Sequence, residues 1–490
     1  MKKHLLLIIF LTLYFLVIAY KLVSRPTPFY DWDESINVQV SKEMVENKSL
    51  VPLWQGKYWL DKPPLPFLFF GIVMKLTPFV QPEISLRLTS LFLSLISLLF
   101  VYAVFYKATK NKLVSLLTVI ITSFTPIFLQ RSQILNLDVF LLIGWLGYLL
   151  FVQNFWLSLF FLTIATLTKS LIGFYPVIVL IAYNVFLFLT SLSSRAKSRD
   201  LFKKAFLKLF SHVTILSIWY FVMLLLFKQD FWQQHIFETH FRRVTASLES
   251  HFGQRTYYLD LIFKQLGIFA WISILGLLLV ISNVVRNLVP IKSGRKNYEW
   301  ILYSLFLFPW FIFLNLTKTK IFWYLYPAIP QFAFLAVYPL ILFKNRKTIS
   351  YLLSLILILF IFQQNFIKTN FFTTFYSQPE DYYRLALYAK DHCDSLTVLV
   401  GKETREATKT LEGLGLTITS TKQWGDNPSI VYYFGKKVDF YYDKTLLDRN
   451  LSSLSKNNCL AIRKDDLDLN LENKKFNKLI NFESIYLFKP

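Results

Sequence analysis

The sequence predicts an α-helical polytopic membrane protein with a small C-terminal α/β domain. Three observations carry this expectation. Hydrophobic residues make up 54% of the 490-residue chain and charged residues only 17%, where a soluble domain carries about a quarter. Apolar runs recur along the first three quarters, many near the ~20 residues that cross a bilayer as a helix. Beyond about residue 370 the long runs give way to short mixed segments.

The net charge of +23 raises the question of nucleic acid, and its distribution argues against it. From Lys368 onward 18 Lys/Arg stand against 16 Asp/Glu, while the preceding part holds 35 against 14. The excess therefore lies in the membrane part, where basic loops set topology. The two cysteines, Cys393 and Cys459, both fall in the tail; their number is too small for a disulfide framework, and pairing stays open.

The first run, Leu5 to Val23, follows Met-Lys-Lys-His and begins like a signal peptide. It lacks a small-residue cleavage site and is closed by Lys21 and Arg25, so it reads as a retained span with a cytoplasmic N-terminus. Span 1 (about 5–23) leads to an external loop at about 25–83, and span 2 (about 84–106) returns to the basic "KATKNK". Spans 3 (about 113–129), 4 (about 137–153), 5 (about 155–168) and 6 (about 170–190) end at "SSRAKSRDLFKKAFLK", the most basic loop of the membrane part. Span 7 (about 209–227) exits to a polar loop, 228–258, and span 8 (about 259–285) returns to "RNLVPIKSGRK". Spans 9 (about 299–316), 10 (about 321–343, followed by "FKNRK") and 11 (about 349–366) complete a count of about eleven. Four of the five internal loops are basic, as cytoplasmic loops are.

These boundaries divide the chain into a transmembrane domain, 1–368, and an extracytoplasmic domain, 369–490. In the latter "PEDYYRLALYAKDH" reads as a helix, and "LTVLVG", "SIVYYFG", "VDFYY", "CLAIRK" and "SIYLFKP" read as short strands. No internal repeat is evident.

Sorted by side, the polar residues concentrate on the external face. Asp31, Asp33 and Glu34 follow span 1, and Lys62 sits in "YWLDKPPLPF" before two prolines that stiffen the backbone. Arg131 and Asp138 flank the start of span 4, Lys169 lies between spans 5 and 6, and His240, Arg242 and Arg243 occupy the 228–258 loop. "TKTKIFWYLYP" adds Lys318, Lys320 and Tyr324. Any one such cation is at home snorkelling at a helix end. A helix N-cap accounts for one of the early carboxylates but not three. Charge at a bilayer boundary needs solvation or a partner, and the whole set suits glycosyl transfer from a lipid-linked phosphate sugar. In that reaction a carboxylate takes the acceptor hydroxyl's proton, and cations hold the phosphate that leaves.

The ordered motifs "WDES", "YWLDKPP", "SLRLTS" (Arg87), "ILNLDVF", "LTKSLIGF", "IWYFVM" and "TKTKIFWYLYPAIP" resemble the C-type polytopic glycosyltransferases. The likeness is to the protein O-mannosyltransferase and lipid A aminoarabinose transferase branch, over about residues 1–345. The resemblance implies Asp33 as catalytic carboxylate with Glu34 beside it. It implies Lys62, Lys169, Arg243, Lys320 and Tyr324 as donor-phosphate and carrier contacts, with Asp138 and His240 orienting acceptor or loop. It further implies a polyprenyl-phosphate monosaccharide donor, inversion at the anomeric carbon and an extracytoplasmic lipid, glycan or protein acceptor. No cofactor is implied with certainty; some relatives use a divalent metal, which Asp33 and Glu34 would hold. The 228–258 loop is too short for the β-trefoil domain of the eukaryotic protein mannosyltransferases. The competing classes are a transporter or lipid flippase, a ligase or polymerase using a lipid-diphosphate oligosaccharide, and a non-catalytic scaffold. A transporter keeps its charges near the midplane and between repeats.

Overall fold

The computed structural model describes residues 4–30, 32–190, 195–288, 299–343, 346–363, 380–451, 455, 457–467 and 476–490. Asp31, the expected internal-loop segments 191–194, 289–298 and 344–345, and the expected boundary at 368/369 lie outside the described residues. The chain forms two units, one of residues 1–24, 87–231 and 253–374, the other of 25–86, 232–252 and 375–490.

The fold is that of a helical polytopic membrane protein. Among the described residues six helices are long and apolar enough to cross a membrane, and seven if the bent pair Glu299–Leu305 and Phe308–Leu316 counts as one. Several expected spans fold as shorter helices. Expected spans 3 and 4 are Lys112–Phe124 and Asp138–Leu150, each 13 residues, and expected span 11 is Lys347–Phe362, 16 residues. Thr125 and Pro126 break the third, because proline leaves the preceding residue extended.

In the first unit, helices Asp138–Leu150 and Phe155–Lys169 form an antiparallel hairpin. Asn154 opens the second helix by accepting the Leu157 N–H at 3.0 Å. Small residues let the two backbones approach: a Cβ on Gly144 would lie 2.8 Å from the Cβ and backbone nitrogen of Ala165. Aromatic rings fill the interior. Trp145, fully buried, lies 4.4 Å from the Tyr175 ring and 5.1 Å from that of Trp310, and Phe105 stacks on Phe334 at 4.2 Å.

In the second unit, helix Asp33–Glu46 packs against helix Leu65–Leu76, where Gly71 meets the Ser41 carbonyl too closely for any side chain. Between them Leu53–Trp54 pairs antiparallel with Lys57–Tyr58. The buried Glu43 carboxylate holds that turn, accepting the Gln55 and Gly56 N–H groups at 2.8 Å each. The C-terminal part is a five-stranded sheet in the order Val438–Tyr441, Ser395–Leu399, Asn458–Arg463, Ile485–Lys489, Asn477–Asn481. The first three strands are parallel and the last two join antiparallel. Its core gathers Leu399, Leu447, Leu460, Ile462 and Phe488. Cys393 and Cys459 form a disulfide that ties the end of helix Asp381–His392 to the central strands.

Two expectations are corrected. "SIVYYFG", expected as a strand, is helix Ser429–Phe434, with Pro428 before it at φ −65 and Gly435 after it in the left-handed region at φ +69. The 228–258 segment, expected as a loop, carries a π-helix at Trp232–Arg242 and a helical turn at Arg243–Thr245.

Candidate active site

The first unit builds one charged cluster from its helical hairpin. Because the two helices run antiparallel, the first residue of one, Asp138, comes beside the last of the other, Lys169. Lys169 Nζ donates to Asp138 Oδ1. Arg131 Nη2 lies 3.9 Å from Asp138 Oδ2, and the Asp138 side chain is only 4% exposed. After Lys169 the chain turns at Ser170, φ +53, and Gly173 then abuts the backbone of Thr166, which only a residue without a side chain allows. This is the physical content of the Thr-Lys-x-x-x-Gly spacing.

Consecutive aromatics of "IFWYLYP" cover the two cations. Arg131 lies 4.8 Å from the Trp323 ring centre and Lys169 4.7 Å from that of Tyr324. The Tyr324 carbonyl is held by the Trp310 indole at 3.0 Å. Two cations thus share one buried carboxylate. Lys320 is placed differently. Its ammonium donates to the carbonyls of Leu314 and Asn315 at 2.9 and 3.0 Å, capping helix Phe308–Leu316. It also lies 5.2 Å from the Tyr258 ring centre.

The second unit holds the remaining candidates. Asp33 is the first residue of its helix, half-buried, after Trp32 at φ +64. Glu34 is buried, and its Oε2 accepts the Tyr30 N–H at 2.8 Å, fastening the chain where it enters the helix. Arg243 pairs with Glu249 at 3.0 Å. The His251 imidazole is held below its ordinary range, first by burial, while the charges of Glu249 and Asp33 oppose the shift. Asp33, Arg243, Glu249 and His251 therefore share one electrostatic neighbourhood. His240 is half-buried with its ring 6.0 Å from that of His235. Lys62 lies 5.8 Å from the Trp59 ring centre.

Beside Lys62, Asp61 is buried, and its Oδ2 accepts the Ser420 hydroxyl at 2.5 Å. Burial pushes its carboxyl up to about 6, against the opposing Ser420 hydrogen bond and the charge of Arg243. Sequence reasoning passed over Asp61, although it stands inside the motif that supplied Lys62, because its anchor lies 359 residues away. Arg131 was visible as an external cation but was not placed in the site. Among the described residues no three His, Cys, Asp or Glu side chains group to share an ion. A metal on Asp33 and Glu34 would need further oxygen ligands, such as a substrate phosphate supplies.

Residues 61–224, about a third of the chain, match the family model described as dolichyl-phosphate-mannose-protein mannosyltransferase. Among solved structures, ArnT from Cupriavidus metallidurans bound to undecaprenyl phosphate matches with a TM-score of 0.63 at 14% identity. That match covers 98% of this chain and 97% of the other. The chain has the fold of the C-type glycosyltransferases. A second C-type structure, the archaeal oligosaccharyltransferase AglB from Archaeoglobus fulgidus with an inhibitory peptide and a dolichol-phosphate, matches with a TM-score of 0.56. Its identity is 11%, over 94% of this chain and 70% of that one. Over 343 residues, 68% of the chain, the sequence is 25% identical to an uncharacterized protein of Aquifex aeolicus (strain VF5), and the match spans 63% of that relative. The C-type resemblance seen in the motifs therefore extends, as a fold, over nearly the whole chain.

Proposed function

We propose that this protein is an integral membrane glycosyltransferase. It moves a monosaccharide from a polyprenyl-phosphate donor to an extracytoplasmic lipid, glycan or protein acceptor, with inversion. The observation that carries the reading is the Arg131–Asp138–Lys169 cluster, two cations on one buried carboxylate, in a fold shared with an ArnT bound to undecaprenyl phosphate. A leaving phosphate gains charge as the glycosidic bond breaks, and preformed cations lower that cost. Lys62, Lys169 and Arg243 are assigned to the phosphate, with Tyr324 lying over Lys169. Asp33 is assigned as the base: its carboxylate takes the acceptor hydroxyl proton, the hydroxyl oxygen bonds to the anomeric carbon, and the polyprenyl phosphate departs with the electron pair. Asp138 and His240 are assigned to orientation, and Glu34 to the support of Asp33. Lys320 is retained only as a support of the turn that carries Tyr324.

About eleven crossings fit this reading. Phe155–Leu189 contains two helices, and adding the bent pair and helices Lys112–Phe124, Asp138–Leu150 and Tyr351–Phe362 to the remaining long ones gives that number. The Cys393–Cys459 disulfide supports an extracytoplasmic C-terminal domain, because such bonds persist in oxidising compartments. The test is transfer by the purified protein from synthetic polyprenyl-phosphate sugars, with the acceptor sought by mass spectrometry of envelope glycans and lipids in a deletion strain. Unchanged envelope glycans together with solute transport by reconstituted vesicles would instead establish a transporter.

A further inference from the structure

Residues 416–424 of the C-terminal part reach the segments of the second unit that carry Lys62, His240 and Arg243. Ser420, fully buried, donates to Asp61 Oδ2 at 2.5 Å. Its neighbour Thr419 donates from its backbone N–H and hydroxyl to the two oxygens of Glu238, at 2.9 and 3.0 Å. The Thr417 carbonyl accepts from Arg242 at 2.9 Å, and the Leu416 carbonyl accepts the Glu249 N–H at 3.1 Å. At the far end Trp424 packs edge-on against Trp54 at 4.7 Å and Trp59 at 5.3 Å, while the Gln423 carbonyl accepts the Trp54 indole N–H at 3.1 Å.

The segment has no strand of its own and only a short 3-10 turn at Thr421–Gln423. These bonds to other segments, together with backbone bonds such as Thr421 N–H to the Ile418 carbonyl at 3.1 Å, hold its conformation. A segment held at so many points by groups on other segments also holds those segments, and Lys62, bonded directly to Asp61, has its own backbone restricted by Pro63 after it.

We propose that Ser420 is a positioning residue for the reaction, acting through Asp61 to set the direction of Lys62, and that segment 416–424 is the brace by which the C-terminal domain orders the catalytic loops. The inference rests on the glycosyl-transfer reading for the role of Lys62, but the brace itself is a statement about residues 58–64. Loss of the Ser420 hydroxyl takes the 2.5 Å donor from a buried carboxyl and leaves the Trp59 indole and the charge of Arg243 to oppose burial and Glu249, so the Asp61 turn shifts.

The test uses the full-length protein with Ser420→Ala, Ser420→Thr, Asp61→Ala and the Ser420→Ala/Asp61→Ala double variant. Two quantities are read: KM and kcat with a polyprenyl-phosphate sugar, and hydrogen exchange of residues 58–64. Ser420→Ala is expected to raise donor KM about tenfold with kcat retained and to speed exchange at 58–64. Ser420→Thr should restore both, and the double variant should be no worse than Asp61→Ala alone. Wild-type KM and unchanged exchange in Ser420→Ala would overturn the proposal, as would additive effects in the double variant. If Ser420→Ala does not fold, Thr419→Val, which removes one hydroxyl and keeps volume, is held to the same criterion of faster exchange at 58–64. Absence of transfer by the wild type would refute the functional reading, and the exchange data would still decide the brace.

Discussion

Lys169 and Asp138, 31 residues apart, meet because an antiparallel hairpin brings the first residue of helix Asp138–Leu150 beside the last residue of helix Phe155–Lys169. The Asp138 side chain is 4% exposed and that of Lys169 15%. Removing one partner strands a charge, which typically costs about 3–5 kcal/mol. Lys169→Met and Asp138→Asn are each expected to lower the thermal midpoint in detergent, Asp138→Asn more, since it takes the carboxylate from both cations, whereas Lys169→Met leaves Asp138 with Arg131 at 3.9 Å. The double variant should lose less than the two losses combined. Additive losses would show that the pair is not coupled.

Gly173 makes a second prediction. A Cβ there would overlap the backbone of Thr166, so helix Phe155–Lys169 and the turn after it must separate. Gly173→Ala is expected to cost about 1–3 kcal/mol, as overpacking does, and, under the proposed function, to weaken binding of a polyprenyl-phosphate probe by moving Lys169. Thermal unfolding with a binding titration checks both, and wild-type values in each would remove the turn from the site.

Asp61 sets a pH dependence whose sign follows from its environment. Burial holds its carboxyl near 6 in the folded chain, against about 3.9 when unfolded. Between those values the folded state keeps a proton that the unfolded state has released, so this residue's contribution to stability falls as pH rises from about 4 to 6. Asp61→Asn is expected to match the wild type near pH 4 and to exceed it at pH 7. Thermal midpoints across that range measure the difference, and a constant gap would contradict the assigned environment.

What the sequence disclosed follows the range of the forces involved. Hydropathy over windows of a span found the helical membrane class, and alternation found strands 395–399, 438–441, 458–463 and 485–489. "SIVYYF" defeated the same reasoning because a short run of β-branched and aromatic residues suits a buried strand or a buried helix. The Pro428 and Gly435 that bracket it are helix punctuation and decided the matter. At the candidate site, the sequence displays charged residues in order but not the partners they take in the fold. Nothing local to "TKTK" shows that Lys320 caps the helix behind it, and nothing near "LDKPP" shows that Asp61 rests on Ser420. Those facts come from chain segments brought together only by the fold.

The central claim is that Asp33 is the base of a glycosyl transfer, and one substitution tests it most directly. Asp33 opens its helix, and the residue before it, Trp32, makes no side-chain cap bond. Asp33→Asn keeps the size of the side chain and its place at the helix start, where the lost interaction of the carboxylate with the helix dipole is worth about 0.3–1 kcal/mol. Its amide, however, takes no proton from an acceptor hydroxyl, and a positioned base contributes about 10²–10⁴-fold to rate. The measurement is glycan product formed by purified Asp33→Asn protein with polyprenyl-phosphate sugar and acceptor supplied. The account predicts a wild-type fold, wild-type donor binding and turnover lowered by at least about 10²-fold. Near-normal turnover would contradict it and move the search for the base to Glu34 or Asp138.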